Sequence, residues 1–249
     1  MAEYSKVGKY DFIAEPFHVD FAGRLTMEVL GNHLLNCAGF HATERGFGIA
    51  ELNENHYTWV LSRLAIEMEE YPEQYEKFSV QTWVENVYRL FTDRNFSILD
   101  RDGKPVGYAR SVWAMIDMSS RKPADLLALH GGSIADYVCR IDCPIDKPGR
   151  IKVGTAEPVG VHLTKYSDID CNGHVNSIKY IEHILDLFHI DIFRDKMVHR
   201  FEMAYVAESH YGDELTFYRE QTSENEFNFE VRKNGSDVAV RSKVVFRQL

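Results

Sequence analysis

Three polar side chains, two residues apart, offer a carboxylate, an amide and an imidazole in the second half of the chain. They are Asp170, Asn172 and His174, within the letters DIDCNGHVN. A carboxylate can act as a general base or a nucleophile, and an amide can orient water or a substrate. In extended backbone, alternate side chains point the same way, so these groups would face one spot. Such a set suits acyl transfer to water.

An apolar stripe follows this group and predicts the element that must position it. The apolar residues recur at helical spacing, which indicates a helix with one buried face. Asn176 or Ser177 is predicted to cap its start, because either side chain can accept from a first-turn N–H. The stripe consists of Ile178, Ile181, Ile184, Leu185 and Phe188.

The same letters are also typical of a plain turn and helix cap, because Asp, Asn and Gly are common there. An internal repeat bears on the choice. The letters DFAGRLT at 20–26 and DCNGHVN at 170–176 share Asp and Gly, and each set precedes a predicted helix. Asn and His occur only in the second copy. The repeat therefore favours a functional role for Asn172 and His174.

The repeat extends to the strands and predicts the fold class. The letters FSILDRDGKPVGYARSVWAMI and FEVRKNGSDVAVRSKVVFRQL both carry a hairpin dipeptide, Asp102-Gly103 and Asn234-Gly235. The pattern of each copy predicts a strand, a helix and several antiparallel strands, an order that is typical of the α+β class. We expect two units, at residues 1–150 and 151–249, with the linker inside the first range.

Composition and absent motifs exclude several function classes. The net charge is −10 without a basic block, which argues against nucleic acid as a partner. The four sparse cysteines, the lack of a signal peptide and the lack of a membrane span predict a cytoplasmic protein. There is no G-x-S-x-G, only the weak echo His130-Gly131-Gly132-Ser133 of an oxyanion loop. Without H-E-x-x-H, a P-loop or a dinucleotide fingerprint, we expect no metal and no cofactor.

A family resemblance emerges from these letters. DIDCNGHVNSIKYIEHILD resembles the signature of the acyl-ACP thioesterases, the fatty acyl-acyl carrier protein hydrolases of plant plastids and some bacteria. The first half is similar to them in WVLSRLAIEMEEYP, VQTWVENV and ARSVWAMIDMSSRKP. The resemblance implies two tandem hotdog units, each with a long central helix wrapped by a curved antiparallel β-sheet. It also implies hydrolysis of the acyl-carrier thioester, releasing free fatty acid and holo-ACP.

The resemblance also implies which residues form the site. Asp170, Asn172 and His174 match the family's Asp, Asn and His, and Glu208 in YVAESHYGDEL matches a Glu on a later strand. Plant members have Cys after that Glu, whereas this chain has Ser209, which argues against a thiol nucleophile at that position. Cys171 alternates with the site residues, so we expect it to be buried rather than reactive.

The resulting hypothesis leaves the two carboxylates open. Either Asp170 or Glu208 activates water or attacks the thioester carbonyl, while Asn172 and His174 position that group and the substrate. Backbone N–H groups of Val175 and Asn176 would hold the developing oxyanion.

By the same resemblance the first unit shapes the acyl tunnel, although its candidate residues are equally typical of an ordinary core. The implied partner is acylated acyl carrier protein, bound through its phosphopantetheine thioester. An acyl-CoA thioesterase, a non-catalytic acyl-thioester-binding hotdog protein and a hotdog dehydratase are alternatives, and both monomer and homodimer stay open. The tunnel candidates are Leu30, Leu34, Trp59, Leu61 and Leu64.

Overall fold

The computed structural model describes residues 4–128 and 133–249. The chain divides into two compact units, Met1–Lys147 and Pro148–Leu249, so the division lies within the letters DKPGR. From the sequence we expected the boundary between the two units to lie after residue 150. His130, Gly131 and Gly132, part of the oxyanion-loop echo, lie outside the described residues.

The first unit packs a helix, α1 (Met27–Glu44), against an antiparallel sheet. Thr26 caps this helix, since its Oγ1 accepts from the Val29 N–H at 3.3 Å. The sequence did not predict the short helices α2 (Ile49–Asn53) and α3 (Ser133–Asp136). The strands are β1 (Val7–Ile13), β2 (Tyr57–Met68), β3 (Lys77–Val87), β4 (Phe91–Leu99) and β5 (Pro105–Asp117).

The second unit repeats this plan. In the first unit the strand order is β1-β3-β4-β5-β2, and in the second it is β6-β8-β9-β10-β7, so each strand has an equivalent. Neighbouring strands within each unit are antiparallel. The strands of the second unit are β6 (Glu157–Leu163), β7 (Lys196–Tyr205), β8 (Glu214–Ser223), β9 (Glu226–Lys233) and β10 (Asp237–Gln248).

The helix that follows the polar group is shorter than its apolar stripe suggested. This helix, α4 (Lys179–Leu185), buries Ile181 and Ile184 completely and ends before Phe188. The Phe188 ring instead packs edge-on against three phenylalanine rings of the sheet, which favours a bend of the chain after α4. A second short helix, α5 (Ile192–Asp195), then leads into β7. No helix in the described ranges is long and apolar enough to cross a membrane.

Candidate active site

Asp170 closes a tight turn instead of lying on extended backbone. Its Oδ1 accepts from the N–H groups of Asn172 at 2.8 Å and His174 at 3.2 Å. Gly173 has a φ of +81°, a conformation that glycine adopts without steric cost. The extended segment expected from the sequence is therefore wrong, because backbone hydrogen bonds to the Asp170 carboxylate curl it into a loop.

The first unit contains the same turn. Asp20 Oδ1 accepts from the N–H groups of Ala22 at 2.8 Å and Arg24 at 3.0 Å, and Gly23 has a φ of +78°. The Asp and Gly shared by the two copies thus build the turn in both units. The shared Asp170 has a structural task, whatever it does for a substrate.

The turn separates the three predicted polar groups. Asn172 lies at the tip with an exposed side chain, while His174 is half-buried. Within the described residues, no hydrogen bond joins the Asn172 side chain to that of His174 or Glu208. Cys171 is also exposed, contrary to the expectation that alternation would bury it, because the turn breaks the alternation.

His174 instead lies beside Glu208, the partner that the family resemblance added. The His174 Nε2 is 3.5 Å from the Glu208 Oε2, and the two side chains are 28% and 38% exposed. The His210 ring packs edge-on against the His174 ring, with centroids 5.1 Å apart. The exposed fraction leaves this imidazole–carboxylate pair accessible to water and to an incoming substrate.

Backbone bonds hold these two segments together. His174 pairs with His210 in an antiparallel bridge, and the Val175 N–H donates to the Ser209 carbonyl at 2.8 Å. The Lys233 Nζ donates to the Glu208 carbonyl oxygen at 2.7 Å. The Ser209 side chain between the two site residues is buried, with 1% of the residue exposed, so its hydroxyl is not presented to a thioester.

The oxyanion donors expected from the sequence are already engaged. The Val175 N–H donates to the Ser209 carbonyl, and the Asn176 N–H donates to the Asp168 carbonyl at 2.7 Å. A donor bonded to a backbone carbonyl is not aimed at a substrate oxygen. Helix α4 begins only at Lys179, so these groups do not lie at its N-terminus. The expectation that Val175 and Asn176 hold the oxyanion is therefore corrected.

The first unit lacks a histidine–glutamate pair at the positions equivalent to His174 and Glu208. Its bridge joins Arg24 to Glu73, where the second unit joins His174 to His210. The Leu25 N–H donates to the Pro72 carbonyl at 2.9 Å, matching the Val175 to Ser209 bond, so Tyr71 stands where Glu208 does. In the first unit, Arg24 thus takes the place of His174, Tyr71 that of Glu208, and Glu73 that of His210.

A second cluster, which the sequence did not predict, lies behind the turn. The two carboxylate oxygens of buried Asp168 each accept from an imidazole Nε2, of His162 on β6 and of His183 on α4, both at 2.8 Å. The Lys165 N–H donates to the same carboxylate at 2.7 Å. Burial alone would raise the pKa of Asp168, but these hydrogen bonds outweigh it and lower that pKa.

The repeat contains the signal that would have revealed this cluster. The residues 150 positions before His162, Asp168 and His183 are Phe12, His18 and His33. The centroids of the Phe12 and His33 rings lie 4.2 Å apart. The equivalent His162 and His183 rings lie 4.0 Å apart. Only the second copy has a carboxylate between two imidazoles, which comparison of the copies at this offset would have shown.

The predicted tunnel residues lie in the interior of the first unit. Leu30 and Leu34 on α1 are completely buried. On β2, Leu61 and Leu64 are buried, whereas Trp59 is half-buried and donates its indole N–H to the Phe47 carbonyl at 2.9 Å. These positions are those of core residues.

Two similar units, each with a helix on a five-stranded antiparallel sheet, define a tandem hotdog protein of the α+β class, which confirms the fold expected from the sequence. The family model of the acyl-ACP thioesterase N-terminal domain matches residues 6–128, and that of the C-terminal domain matches residues 157–248. The chain belongs to the acyl-ACP thioesterase family.

Individual relatives agree with this assignment. A solved acyl-ACP thioesterase from Bacteroides thetaiotaomicron is 70% identical, with a TM-score of 0.94 over 97% of this chain and 98% of that one. The 12:0-ACP thioesterase from Umbellularia californica shares the fold at a TM-score of 0.86 and 19% identity, with 100% of both chains covered. The chloroplastic palmitoyl-acyl carrier protein thioesterase of Arabidopsis thaliana is 26% identical over 81% of this chain and 52% of that protein. The chain spans about half the length of the curated relatives it matches.

Proposed function

We propose that the protein hydrolyses the thioester of fatty acyl-acyl carrier protein, releasing free fatty acid and holo-ACP. The observation that carries this proposal is the His174–Glu208 pair, with 3.5 Å between Nε2 and Oε2, in a chain of the acyl-ACP thioesterase family. An exposed carboxylate beside an imidazole is a suitable base for water. Ser209 is buried, so its hydroxyl is not the proposed nucleophile.

Glu208 is the proposed general base. Its carboxylate accepts a proton from water, whose oxygen attacks the thioester carbonyl carbon, and the resulting tetrahedral species expels the phosphopantetheine sulfur. The proton returns to that sulfur, giving a thiol and a carboxylic acid. His174 orients the Glu208 carboxylate from 3.5 Å and donates to the developing oxyanion.

Asp170 has a positioning role in this proposal. Its Oδ1 receives the His174 N–H at 3.2 Å and the Asn172 N–H at 2.8 Å, so the carboxylate fixes where both residues leave the turn. Asn172, exposed at the tip, contacts the incoming substrate. Of the two carboxylates, Glu208 is thus proposed to take the proton from water, and Asp170 is proposed to position Asn172 and His174.

The first unit is the proposed acyl-binding unit, and the second unit is the proposed catalytic unit. In support, Arg24 and Tyr71 replace the reactive pair in the first unit, whose apolar interior includes Leu30, Leu34 and Leu64. Trp59 and Leu61 are further proposed contacts of the acyl chain. The proposed location is the cytoplasm, where the free cysteines of the described residues remain reduced.

Parallel assays with one acyl chain on acyl carrier protein and on CoA test the proposal. We expect free fatty acid from both the carrier-protein and the CoA arm, with at least tenfold higher kcat/KM on acyl carrier protein. Higher kcat/KM on CoA would assign the protein to the acyl-CoA thioesterases. Tight binding of acyl-ACP without release of fatty acid would show a non-catalytic binding protein, and loss of water from a 3-hydroxyacyl substrate would show a dehydratase.

A further inference from the structure

The fold brings together three metal-ligating side chains that no spacing rule joins in the sequence. His174, Glu208 and His210 each offer one ligand atom, and these atoms all lie within 4.8 Å of one another. We propose that these three residues bind one divalent transition-metal ion of the Zn²⁺ class. Two imidazoles and a carboxylate are a donor set that zinc uses in proteins, with its fourth position left open.

The separations fit a small tetrahedral ion. Zinc–ligand bonds of about 2.1 Å place neighbouring ligand atoms about 3.4 Å apart. The His174 Nε2 and the Glu208 Oε2 are 3.5 Å apart before any ion is bound. The His174 and His210 rings meet edge to face at an interplanar angle of 82°, and the ligand atom of His210 lies within 4.8 Å of those of His174 and Glu208. Rotation of the exposed His210 side chain would close the remaining distance.

The surrounding structure holds these ligands in place. The His174–His210 bridge fixes the two backbones, and the His210 N–H donates to Asp213 Oδ2 at 2.8 Å. Glu208 is held through its carbonyl by the Lys233 ammonium at 2.7 Å. Supporting contacts of this kind orient metal ligands and raise affinity. The side chain of His210 is 55% exposed, which gives an ion access from solvent.

The neighbouring cluster of His162, Asp168 and His183 provides an internal contrast. Its ligand atoms also lie within 4.8 Å of one another, but both imidazoles already bond to the carboxylate at 2.8 Å. The two rings lie 4.0 Å apart at an interplanar angle of 33°, and both of their Nε2 atoms are directed at the Asp168 carboxylate. An ion there would have to break two hydrogen bonds and spread the ligands by about 0.6 Å.

An ion at the proposed site would act as an inhibitor, a consequence that rests on the proposed function. Coordination uses the lone pair of the His174 Nε2 and a carboxylate oxygen of Glu208. Neither group can then serve the water or the carbonyl oxygen. Binding itself does not depend on that function, because it is measured without substrate.

The test is a Zn²⁺ titration of the full chain without a polyhistidine tag, after treatment with EDTA, in competition with a chromophoric chelator. We expect one tight equivalent, at least tenfold weaker in His210→Gln and in Glu208→Gln. Absence of a tight equivalent would overturn the proposal. Co²⁺ in place of Zn²⁺ should give the visible absorption of a four-coordinate ion.

Two matched variants separate this site from other histidines. His162→Gln alters the neighbouring cluster, and His189→Gln removes an imidazole that is 80% exposed. Both should bind Zn²⁺ as the unmodified chain does, and circular dichroism checks that every variant is folded. If His162→Gln lost Zn²⁺ binding and His210→Gln kept it, the ion would bind at the cluster of His162, Asp168 and His183, and the proposal would be overturned. With acyl-ACP, Zn²⁺ should lower the rate and EDTA restore it; a rise with Zn²⁺ would overturn the inhibitory role.

Discussion

Asp170 and Glu208 present their carboxylates in different ways, and this difference is the reason for the different roles that we propose for them. The Asp170 Oδ1 is occupied by two backbone N–H groups, whereas the Glu208 carboxylate is 38% exposed and faces His174. A base must reach the proton that it removes, and the Glu208 carboxylate lies beside the imidazole of His174. The geometry therefore favours Glu208.

Asp20 offers a matched control for Asp170, because it makes the same turn in the first unit. We expect Asp170→Asn to lower kcat at least tenfold, since weaker acceptance of the His174 N–H loosens that residue. Asp20→Asn should leave kcat within about twofold, since hydrogen bonds of this kind contribute about 1–3 kcal/mol each to local structure only. Steady-state kinetics and thermal melting of both variants check this. Equal losses of kcat in the two variants would contradict a specific role for Asp170.

At the residue scale the sequence predicted one spatial neighbour, Glu208 beside His174, better than the local path of the backbone. Asp170, Asn172, His174 and Glu208 were identified from motif letters, and His174 does lie beside Glu208. The oxyanion donors and the side-chain directions were wrong, because they assumed extended backbone. Hydrogen bonds from backbone to the Asp170 side chain, which alternation rules ignore, set the local path. His210 was missed because its contact with His174 crosses 36 residues of sequence.

Among the elements, β6, the turn and α4 are tied together by Asp168. Its carboxylate bonds to His162 on β6 and His183 on α4, and its carbonyl accepts from Asn176 at 2.7 Å. Buried groups that satisfy one another in this way rigidify a structure. This cluster thus supports the segment that carries His174.

Asp168→Asn should lower the free energy of unfolding at pH 7 by about 2 kcal/mol, the usual range for hydrogen bonds to a charged group. The folded pKa of Asp168 is lowered, so its contribution is present above about pH 4 and is lost as pH falls through the folded value. Denaturant unfolding of both proteins at pH 7 and at successively lower pH measures this. His18→Asn, at the equivalent position of the first unit, should cost less than about 1 kcal/mol. If the difference in the free energy of unfolding between Asp168→Asn and the unmodified chain grew as the pH falls, this prediction would be contradicted.

Element positions were predicted well where periodicity was strong. The apolar and aromatic letters YTWVLSRLAIEM and the alternating letters KFSVQTWVENV predict strands at 57–68 and 77–87, and β2 and β3 have these bounds. The short helix α2 escaped prediction, since its five residues carry too little periodic signal. The length of α4 was also not predictable, because Phe188 lies beyond its end and packs against phenylalanines that are distant in sequence.

For the whole molecule, duplication permits a division of labour. One copy keeps the turn with Asp20 but replaces the reactive pair, and the other keeps Asp170, His174 and Glu208. In our proposal the first copy has no catalytic role, so its interior can be adapted to the acyl chain. Chain-length preference should then respond to substitutions in the first unit, and the rate of hydrolysis to substitutions in the second.

Trp59→Leu tests this division. Trp59 is half-buried and packs against core residues of the first unit, so a smaller side chain should enlarge the space for an acyl chain. We expect the preferred substrate in a chain-length panel of acyl-ACPs to become longer, with the rate on that preferred substrate within about threefold. A uniform loss over all lengths at unchanged preference would argue against an acyl-binding role.

The role of Glu208 as general base is tested most directly by comparing acyl-ACP hydrolysis by the unmodified chain and by Glu208→Gln in single-turnover experiments, with melting temperatures measured in parallel. We expect at least a thousandfold slower release of fatty acid in Glu208→Gln at an unchanged melting temperature, because an amide cannot take the proton from water. Release at the unmodified rate by a folded Glu208→Gln variant would show that Glu208 is not the base.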